Sequence, residues 1–224
     1  MESVMINVDL IVQSLPALMR GAVVTLKIAT LCTCIGIVLG TLLGVGSTSS
    51  NRLITSLINA YVLIIRGTPM LIQIFISFYV LPQIGIKLAP FWAATIALGL
   101  NSSAYLSQII KAGITSVPRG QLDAAYVLGL SKWQTFRYIT MPQALTLMLP
   151  ALGNELVTLI KDSSLASTIG VVELSREGSF IQSRTLDALS IYLAVGMIYL
   201  ALTITVSYFI HLYQKRMKTH AQYN

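Results

Sequence analysis

Long apolar segments separated by short polar ones make up most of this chain of 224 residues. An α-helix that crosses the hydrocarbon core of a bilayer needs about 20 mainly apolar residues. The pattern therefore predicts an all-α, polytopic membrane protein in which one transmembrane domain covers residues 1–224. We expect about five spans, at about residues 22–45, 70–79, 91–112, 143–165 and 188–212.

The second apolar region, residues 53–81, is too long for one straight helix, and the sequence Arg66-Gly67-Thr68-Pro69 interrupts it. Pro69 has no backbone N–H, and it disfavours helical geometry at Thr68. We therefore predict an interfacial helix over about 53–65 and a membrane span from about residue 70. In the first span, glycines repeat every fourth position and predict close packing against another helix: Gly36, Gly40 and Gly44.

Composition supports the membrane assignment and argues against other classes. Hydrophobic residues make up 55% of the chain and charged residues only 10%, whereas soluble domains carry about 25% charged residues. The net charge of +7 fits loops on the cytoplasmic side of a membrane. It is not gathered into a basic face, so no nucleic-acid partner is expected.

The chain has two cysteines and two histidines to consider as metal ligands. Cys32 and Cys34 point about 200° apart on a helix, so they can neither pair nor share a metal. His211 and His220 have no second ligand at metal spacing. The sequence also has no Gly-rich phosphate loop and no nucleophile elbow. We therefore expect no metal, no bound cofactor and no catalytic residues in this chain.

The basic residues indicate an orientation. With five spans, one side carries Arg52, Lys111, Arg119, Lys132, Arg137, Lys215, Arg216 and Lys218. The other side carries Arg20, Lys27, Lys87, Arg176 and Arg184. Because cytoplasmic loops are enriched in Lys and Arg, we expect the N-terminus outside and the C-terminus inside. Met1, Glu2 and Asp9 do not form the positive region of a cleaved signal, so the first span is expected to be retained.

A polar, helix-prone insertion at residues 118–142 lies on the predicted cytoplasmic side. Pro118 suits the first turn of a helix and Gly129 its C-terminal stop. Ser131 followed by Gln134 predicts a capping box that starts a second short helix. A helix of about ten residues is marginal alone in water. It therefore either docks on a soluble partner or lies on the membrane surface.

Three motifs follow one another along the chain: Arg66-Gly67-Thr68-Pro69, Asp123-Ala124-Ala125 with Gly129, and Lys161-Asp162-Ser163-Ser164-Leu165. Together they resemble motifs of ABC-importer permeases for polar amino acids. Asp123-Ala124-Ala125 with Gly129 resembles the "EAA" loop of that family, with Asp in place of the usual Glu. The Arg66–Pro69 sequence and Lys161-Asp162-Ser163-Ser164-Leu165 resemble two further motifs. The resemblance implies that the loop at about 114–142 holds a coupling helix for an ATPase subunit. The coupling residues implied are Pro118, Arg119, Asp123, Ala124, Ala125 and Gly129.

The resemblance also implies the partners and the location of the chain. They are a cytoplasmic ATPase subunit that binds ATP, a second permease subunit that is identical or related, and an extracytoplasmic amino-acid-binding protein. The lipid bilayer surrounds the permease, which is expected in the bacterial cytoplasmic (inner) membrane. The chain itself is then a transport subunit that does not hydrolyse ATP.

Ionisable residues at membrane depth are candidates for function. Glu155 and Asp162 are seven positions apart and share one face of a helix. Asn101, Tyr105 and Gln108 share a face of the preceding span. If these faces meet, they enclose a polar cavity for an amino acid. The residues predicted to bind substrate are Glu155, Asp162, Asn101, Ser102, Thr68, Arg66 and Ser163.

The two carboxylates suggest a basic substrate such as arginine, lysine or histidine, and glutamine or cystine are alternatives. Asp162 could instead be neutralised by Lys161 or Arg66, and Glu155 could face lipid headgroups. Arg66 and Thr68 could serve only the helix break. The competing class is an ion- or proton-coupled secondary transporter. Such folds usually carry internal repeats with paired broken helices, and this sequence has one broken segment.

Overall fold

The computed structural model describes residues 6–222, with side chains as far as residue 215. Met1 and Glu2 lie outside the described residues, and so do the side chains of Arg216, Lys218 and His220. The described elements are all helical. They are α1 (Val8–Gly46), α2 (Arg52–Gly67), α3 (Met70–Phe75), α4 (Pro90–Thr115), α5 (Arg119–Val127), α6 (Lys132–Thr135), α7 (Met141–Asp162), α8 (Leu174–Thr185) and α9 (Ala188–Gln222).

Several of these helices continue into tighter or wider turns. A π-helical stretch and a 3-10 turn extend α3 to Ile84, and a π-helical stretch joins α6 to α7. A 3-10 helix, Ser163–Ile169, follows α7. Helical structure therefore runs without a loop from Lys132 to Ile169.

Among the described residues, three helices are long and apolar enough to cross a membrane: Val8–Gly46, Lys132–Ile169 and Ala188–Lys215. They become four if Arg52–Gly67 and Met70–Ile84 form one broken span. The all-α polytopic class is confirmed, while the number of five spans stays a prediction.

The helix break predicted at Arg66–Pro69 is present. Thr68 has extended backbone angles (φ −109°, ψ 140°), as does Pro69 (φ −60°, ψ 136°), between the end of α2 and the start of α3. The Thr68 hydroxyl donates to the Ile64 carbonyl at 3.0 Å. It thereby satisfies one of the carbonyls that the end of α2 leaves without an intrahelical donor.

Two boundaries differ from the sequence-based prediction. The first helix begins at Val8 instead of near residue 22, because the Asn7 side chain accepts from the Leu10 N–H at 2.9 Å and caps it. The connection at 170–187 contains the helix α8, which Glu173 caps by accepting from the N–H groups of Ser175 and Arg176.

The chain packs as two compact units that interleave in sequence. The described residues of the first are those from 6 onwards in Met1–Thr33, Pro69–Gly99 and Val157–Val206. Its main core contains fully buried apolar side chains from α1, α3, α4 and α7, among them Ile28, Ile74, Leu98 and Ile160. A second cluster in this unit joins α1, α8 and α9 through Leu18, Leu174 and Ile191.

The described residues of the second unit are Cys34–Thr68, Leu100–Leu156 and, up to residue 222, Ser207–Asn224. Here the glycine stripe of α1 packs against α4. A Cβ atom added to Gly36, Gly40 or Gly44 would lie within 2.8 Å of a side-chain atom of Ser102, Leu106 or Ile110, respectively. The predicted close helix contact is therefore confirmed, and it is formed within this chain. A smaller cluster joins α2 to α4 through Ile58, Val62 and Ala104.

Candidate functional site

The polar side chains of α4 divide into an accessible and a buried face. Asn101 and Gln108 are half-buried and Tyr105 is exposed, and these three share the predicted face. Ser102, on another side of the helix, is fully buried. Its hydroxyl lies against Gly36 of α1 and has no hydrogen-bond partner among the described residues. The position of Ser102 is therefore that of a helix–helix contact.

Arg66, at the end of α2, and Tyr105, on the accessible face of α4, lie together. The guanidinium carbon of Arg66 is 4.7 Å from the centroid of the Tyr105 ring, a cation–π arrangement. Both residues line a pocket of about 430 Å³ within the second unit. Arg66, which the sequence placed at the helix break, thus borders a cavity.

Glu155 and Asp162 both belong to α7, and each is half-buried. Asp162 is the last residue of the α-helix, where the chain tightens into the 3-10 helix. Lys161, its neighbour, is exposed. Ser163 is fully buried, and its hydroxyl donates to the Ile160 carbonyl at 2.7 Å. The two carboxylates are partly accessible and the Lys161 ammonium is exposed, while the hydroxyl of Ser163 is buried and completes the helix end.

The polar insertion folds as the sequence predicts. Pro118 precedes α5 as its N-cap residue, and Gly129 ends the helix with φ +73°, a left-handed value that favours glycine. The Leu130 N–H donates to the Ala125 carbonyl at 3.1 Å. Ser131 and Gln134 form the predicted capping box, with hydrogen bonds of 2.8 and 3.2 Å.

The exposed surface of α5 and the turn after it is unusually apolar. Tyr126 and Val127 are each 83% exposed, and Leu128 is 77% exposed. We call these three residues the apolar tip. Ala125 is 1% exposed, so it packs within this chain. The other predicted coupling residues are exposed: Pro118, Arg119, Asp123, Ala124 and Gly129.

Glu173 forms a buried network that the sequence did not indicate. Its carboxylate is fully buried, and it accepts from the Tyr199 hydroxyl at 2.7 Å and the Thr25 hydroxyl at 3.3 Å. Burial raises the pKa of Glu173, although these hydrogen bonds and those of the α8 backbone oppose the shift. Thr25 lies 148 positions away in sequence, and therefore no local pattern could have revealed the pairing.

These features together define a class of protein. The chain has membrane-length helices, one helix broken beside a pocket that holds Arg66 and Tyr105, and half-buried carboxylates in a long helix. It also has a short exposed helix in the loop before that long helix. Among the described residues no group of three or more His, Cys, Asp or Glu side chains could hold a metal ion. This combination of features is that of a membrane permease.

The family comparison makes the class definite. Residues 36–219 match the family described as "Binding-protein-dependent transport system inner membrane component". The chain belongs to this family, and the resemblance to ABC-importer permeases is confirmed.

Known relatives and a solved structure support this assignment. The glutamine transport system permease protein GlnP of Escherichia coli K12 is 37% identical over 207 residues, covering 92% of this chain and 94% of the relative. The arginine transport system permease protein ArtQ of Bacillus subtilis 168 is 33% identical over 210 residues, with 93% and 96% covered. A solved structure, "Crystal structure of an amino acid ABC transporter with histidines", matches with a TM-score of 0.89 at 36% identity. That match covers 95% of this chain and 99% of the other.

Proposed function

We propose that this chain is the permease subunit of an ATP-driven importer that moves polar amino acids across the bacterial cytoplasmic membrane. The observation that carries the proposal is the exposed helix α5 with its apolar tip, in a chain of this family. An exposed apolar surface rimmed by polar residues marks an interaction site for another protein or for a membrane, and the family membership favours a protein partner. We assign the partner as a cytoplasmic ATPase subunit that binds and hydrolyses ATP, because this chain offers no phosphate-binding loop.

We propose that a movement of α5 reaches α7 in two ways, through a side-chain hydrogen bond and through continuous helical structure. The Gln143 amide, in α7, donates to the Gln121 side chain of α5 at 2.6 Å. Helical structure then continues from α6 through α7. A displacement of α5 by the ATPase would therefore be transmitted to the helix that carries Glu155 and Asp162. Asp123 and Arg119 are proposed to contact the partner with the apolar tip, and Ala125 to hold α5 in place.

The substrate is proposed to be a polar amino acid, with a basic one as the leading candidate. Glu155 and Asp162 would bind a cationic side chain, and Asn101 would form a hydrogen bond with the substrate. Ionisable side chains at membrane depth mark substrate or ion pathways, which supports this role. The relative named as an arginine permease supports it as well.

Glutamine is the second candidate substrate. The relative named as a glutamine permease is 37% identical and covers nearly the whole chain. Cystine is a further alternative. A neutral substrate would use the amide of Asn101 and the hydroxyl of Thr68 more than the two carboxylates.

The proposed assembly contains two permease subunits, identical or related, because about five spans per chain are too few to enclose a path. The N-terminus is proposed to lie outside and the C-terminus inside. An extracytoplasmic binding protein would then deliver the amino acid to the outer face, and α5 would meet the ATPase at the inner face.

Two measurements test the proposal. Uptake by cells should require co-expression of the ATPase subunit, and gradient-driven uptake by this chain alone would overturn the importer assignment. In the purified complex, ATP hydrolysis should rise with one or more members of an amino-acid panel. Glu155→Gln should then reduce the preference for arginine or lysine over glutamine. An unchanged preference would remove the basic-substrate proposal while leaving the importer class in place.

A further inference from the structure

We propose that the pocket between α2 and α4 binds the α-carboxylate of the transported amino acid, with Arg66 as its cationic group and Asn59 and Tyr105 beside it. The proposal rests on the amino-acid import proposed above. The pocket would bind the carboxylate end of the substrate, and Asn59 and Tyr105 join the residues proposed to bind substrate.

The pocket contains a cation, the Arg66 guanidinium, whose position is fixed by an aromatic ring. Arg66 lies with its guanidinium carbon 4.7 Å from the centroid of the Tyr105 ring. Attraction between the cation and the ring face fixes the position of the guanidinium and leaves its N–H groups available to an anion. The planar fork of these N–H groups matches the two oxygens of a carboxylate. The pair is therefore a positioned carboxylate receptor.

The volume and the lining of the pocket suit a small molecule. Its volume of about 430 Å³ lies within the usual range for small-molecule sites, about 300–1,000 Å³. Asn59 and Arg66 are seven positions apart on α2, so they share a face and line the same pocket. Gly67 also lines it, and a Cβ atom added there would meet no atom within 4 Å. The pocket thus has space beside the cation and an amide that can donate a further hydrogen bond.

The pocket lies next to Asn101 along the same face of α4. Tyr105 follows Asn101 by four positions on α4, which places the two side chains on one face of that helix. A substrate whose carboxylate meets Arg66 would extend its remaining groups along this face towards Asn101. Every α-amino acid carries the same carboxylate. The pocket would therefore serve substrates that differ in their side chains.

A phospholipid phosphate could supply the same oxyanion chemistry, since the chain lies in a bilayer. The test therefore uses the permease–ATPase complex without the binding protein, in nanodiscs of phosphatidylcholine and, separately, of phosphatidylglycerol. The probes are L-arginine with L-argininamide, and L-glutamine with L-glutaminamide. In each pair the amide replaces the carboxylate with a neutral group. The readout is the concentration that half-saturates the stimulation of ATP hydrolysis.

In the wild-type complex the acid is expected to half-saturate at a concentration about 10- to 100-fold lower than its amide. Arg66→Gln should bring that ratio close to one. Tyr105→Leu should reduce it as well, because the ring that holds the guanidinium is lost, whereas Tyr105→Phe should retain most of it. Arg52→Gln, an exposed cation at the other end of α2, is the matched control and should keep the wild-type ratio.

Three results would overturn the proposal. One is an Arg66→Gln complex that keeps the wild-type ratio. If the Arg66→Gln complex does not assemble, a Tyr105→Leu complex that keeps the wild-type ratio overturns the proposal instead. A second is an effect of Arg66→Gln that appears only in phosphatidylglycerol and changes acid and amide equally, which would assign the pocket to lipid. A third is a wild-type complex that responds to no amino acid, which would overturn the proposed function as well. The first two leave the proposed function intact.

Discussion

Tyr199 of α9 donates a hydrogen bond to the fully buried carboxylate of Glu173, with 2.7 Å between Oη and Oε2. The same oxygen accepts from the Thr25 hydroxyl of α1 and from the Ser175 N–H of α8. Because the other oxygen accepts from the Arg176 N–H, one carboxylate joins three helices of the first unit. This network stabilises the first unit and includes none of the residues proposed to bind substrate.

Loss of the Glu173 carboxylate should destabilise the protein. Glu173→Ala removes the cap of α8 and leaves several buried donors without an acceptor, so we expect the free energy of unfolding to fall by about 2–4 kcal/mol. Tyr199→Phe removes one donor and should cost about 1–2 kcal/mol. The measurement is denaturant unfolding in detergent, followed by tryptophan fluorescence. Tyr208→Phe, an exposed tyrosine on the same helix, should change the value by less than about 0.5 kcal/mol. Equal effects of the two tyrosine variants would contradict the role of the network.

The same carboxyl should make stability depend on pH. Burial raises the pKa of Glu173, and the residue lies outside the membrane-length helices. Between the unfolded pKa, about 4.3, and the raised native pKa, the folded state binds more protons than the unfolded state. The contribution of Glu173 protonation to the free energy of unfolding is therefore complete below about pH 4.3 and is lost as the pH rises through the native pKa of Glu173.

Melting temperatures of wild type and Glu173→Gln, measured between pH 4 and pH 8, test this dependence. The difference, wild type minus variant, should decrease as the pH rises, because glutamine does not titrate. A difference that grows with pH would show that the hydrogen bonds to the carboxylate outweigh its burial.

The contact between the glycine stripe and α4 leaves no room for side chains. A Cβ atom added to Gly40 would lie 2.7 Å from the Cβ of Leu106 and 3.1 Å from the Ser103 carbonyl oxygen. We therefore expect Gly40→Val to lower the free energy of unfolding by about 1–3 kcal/mol. Gly196→Ala is the control: a Cβ atom there meets nothing within 4 Å, so alanine should be neutral or slightly stabilising. Similar losses from both would contradict the packing argument.

The apolar tip should be needed for transport and dispensable for folding. Val127 is 83% exposed, so Val127→Glu should leave the melting temperature nearly unchanged. A buried carboxylate at the proposed interface with the ATPase is costly, and uptake should fall by at least about tenfold. Leu186→Glu, at an equally exposed apolar residue between α8 and α9, is the control and should retain uptake. Normal uptake by Val127→Glu would argue that α5 lies on the membrane surface.

Much of the fold could be predicted because the deciding signals are local. The break at Thr68 and Pro69 depends on proline geometry, and the capping box of Ser131 and Gln134 on residues three positions apart. The helix α8 was missed because its polar sequence has no membrane-length apolar run. Its stability depends on Glu173, whose partners Thr25 and Tyr199 are distant in sequence.

The candidate site was less accessible to sequence reasoning. Helical spacing correctly placed Asn101, Tyr105 and Gln108 on one accessible face of α4. It could not show that Arg66, 39 positions before Tyr105, lies over that ring. Nor could it show that Ser102 faces Gly36, because hydroxyl groups serve equally as ligand contacts and as small packing groups between membrane helices.

If α5 docks on a cytoplasmic ATPase subunit, crosslinking from a single position on α5 should capture that subunit. A cysteine at position 127, with Cys32 and Cys34 replaced by alanine, would be labelled with a short thiol-reactive, photoactivatable crosslinker in membranes that contain the co-expressed ATPase and then irradiated. We expect Val127→Cys to capture the ATPase subunit and Leu186→Cys to capture none. Capture of the ATPase from Leu186→Cys and never from Val127→Cys, or from neither position in transport-competent membranes, would contradict this account.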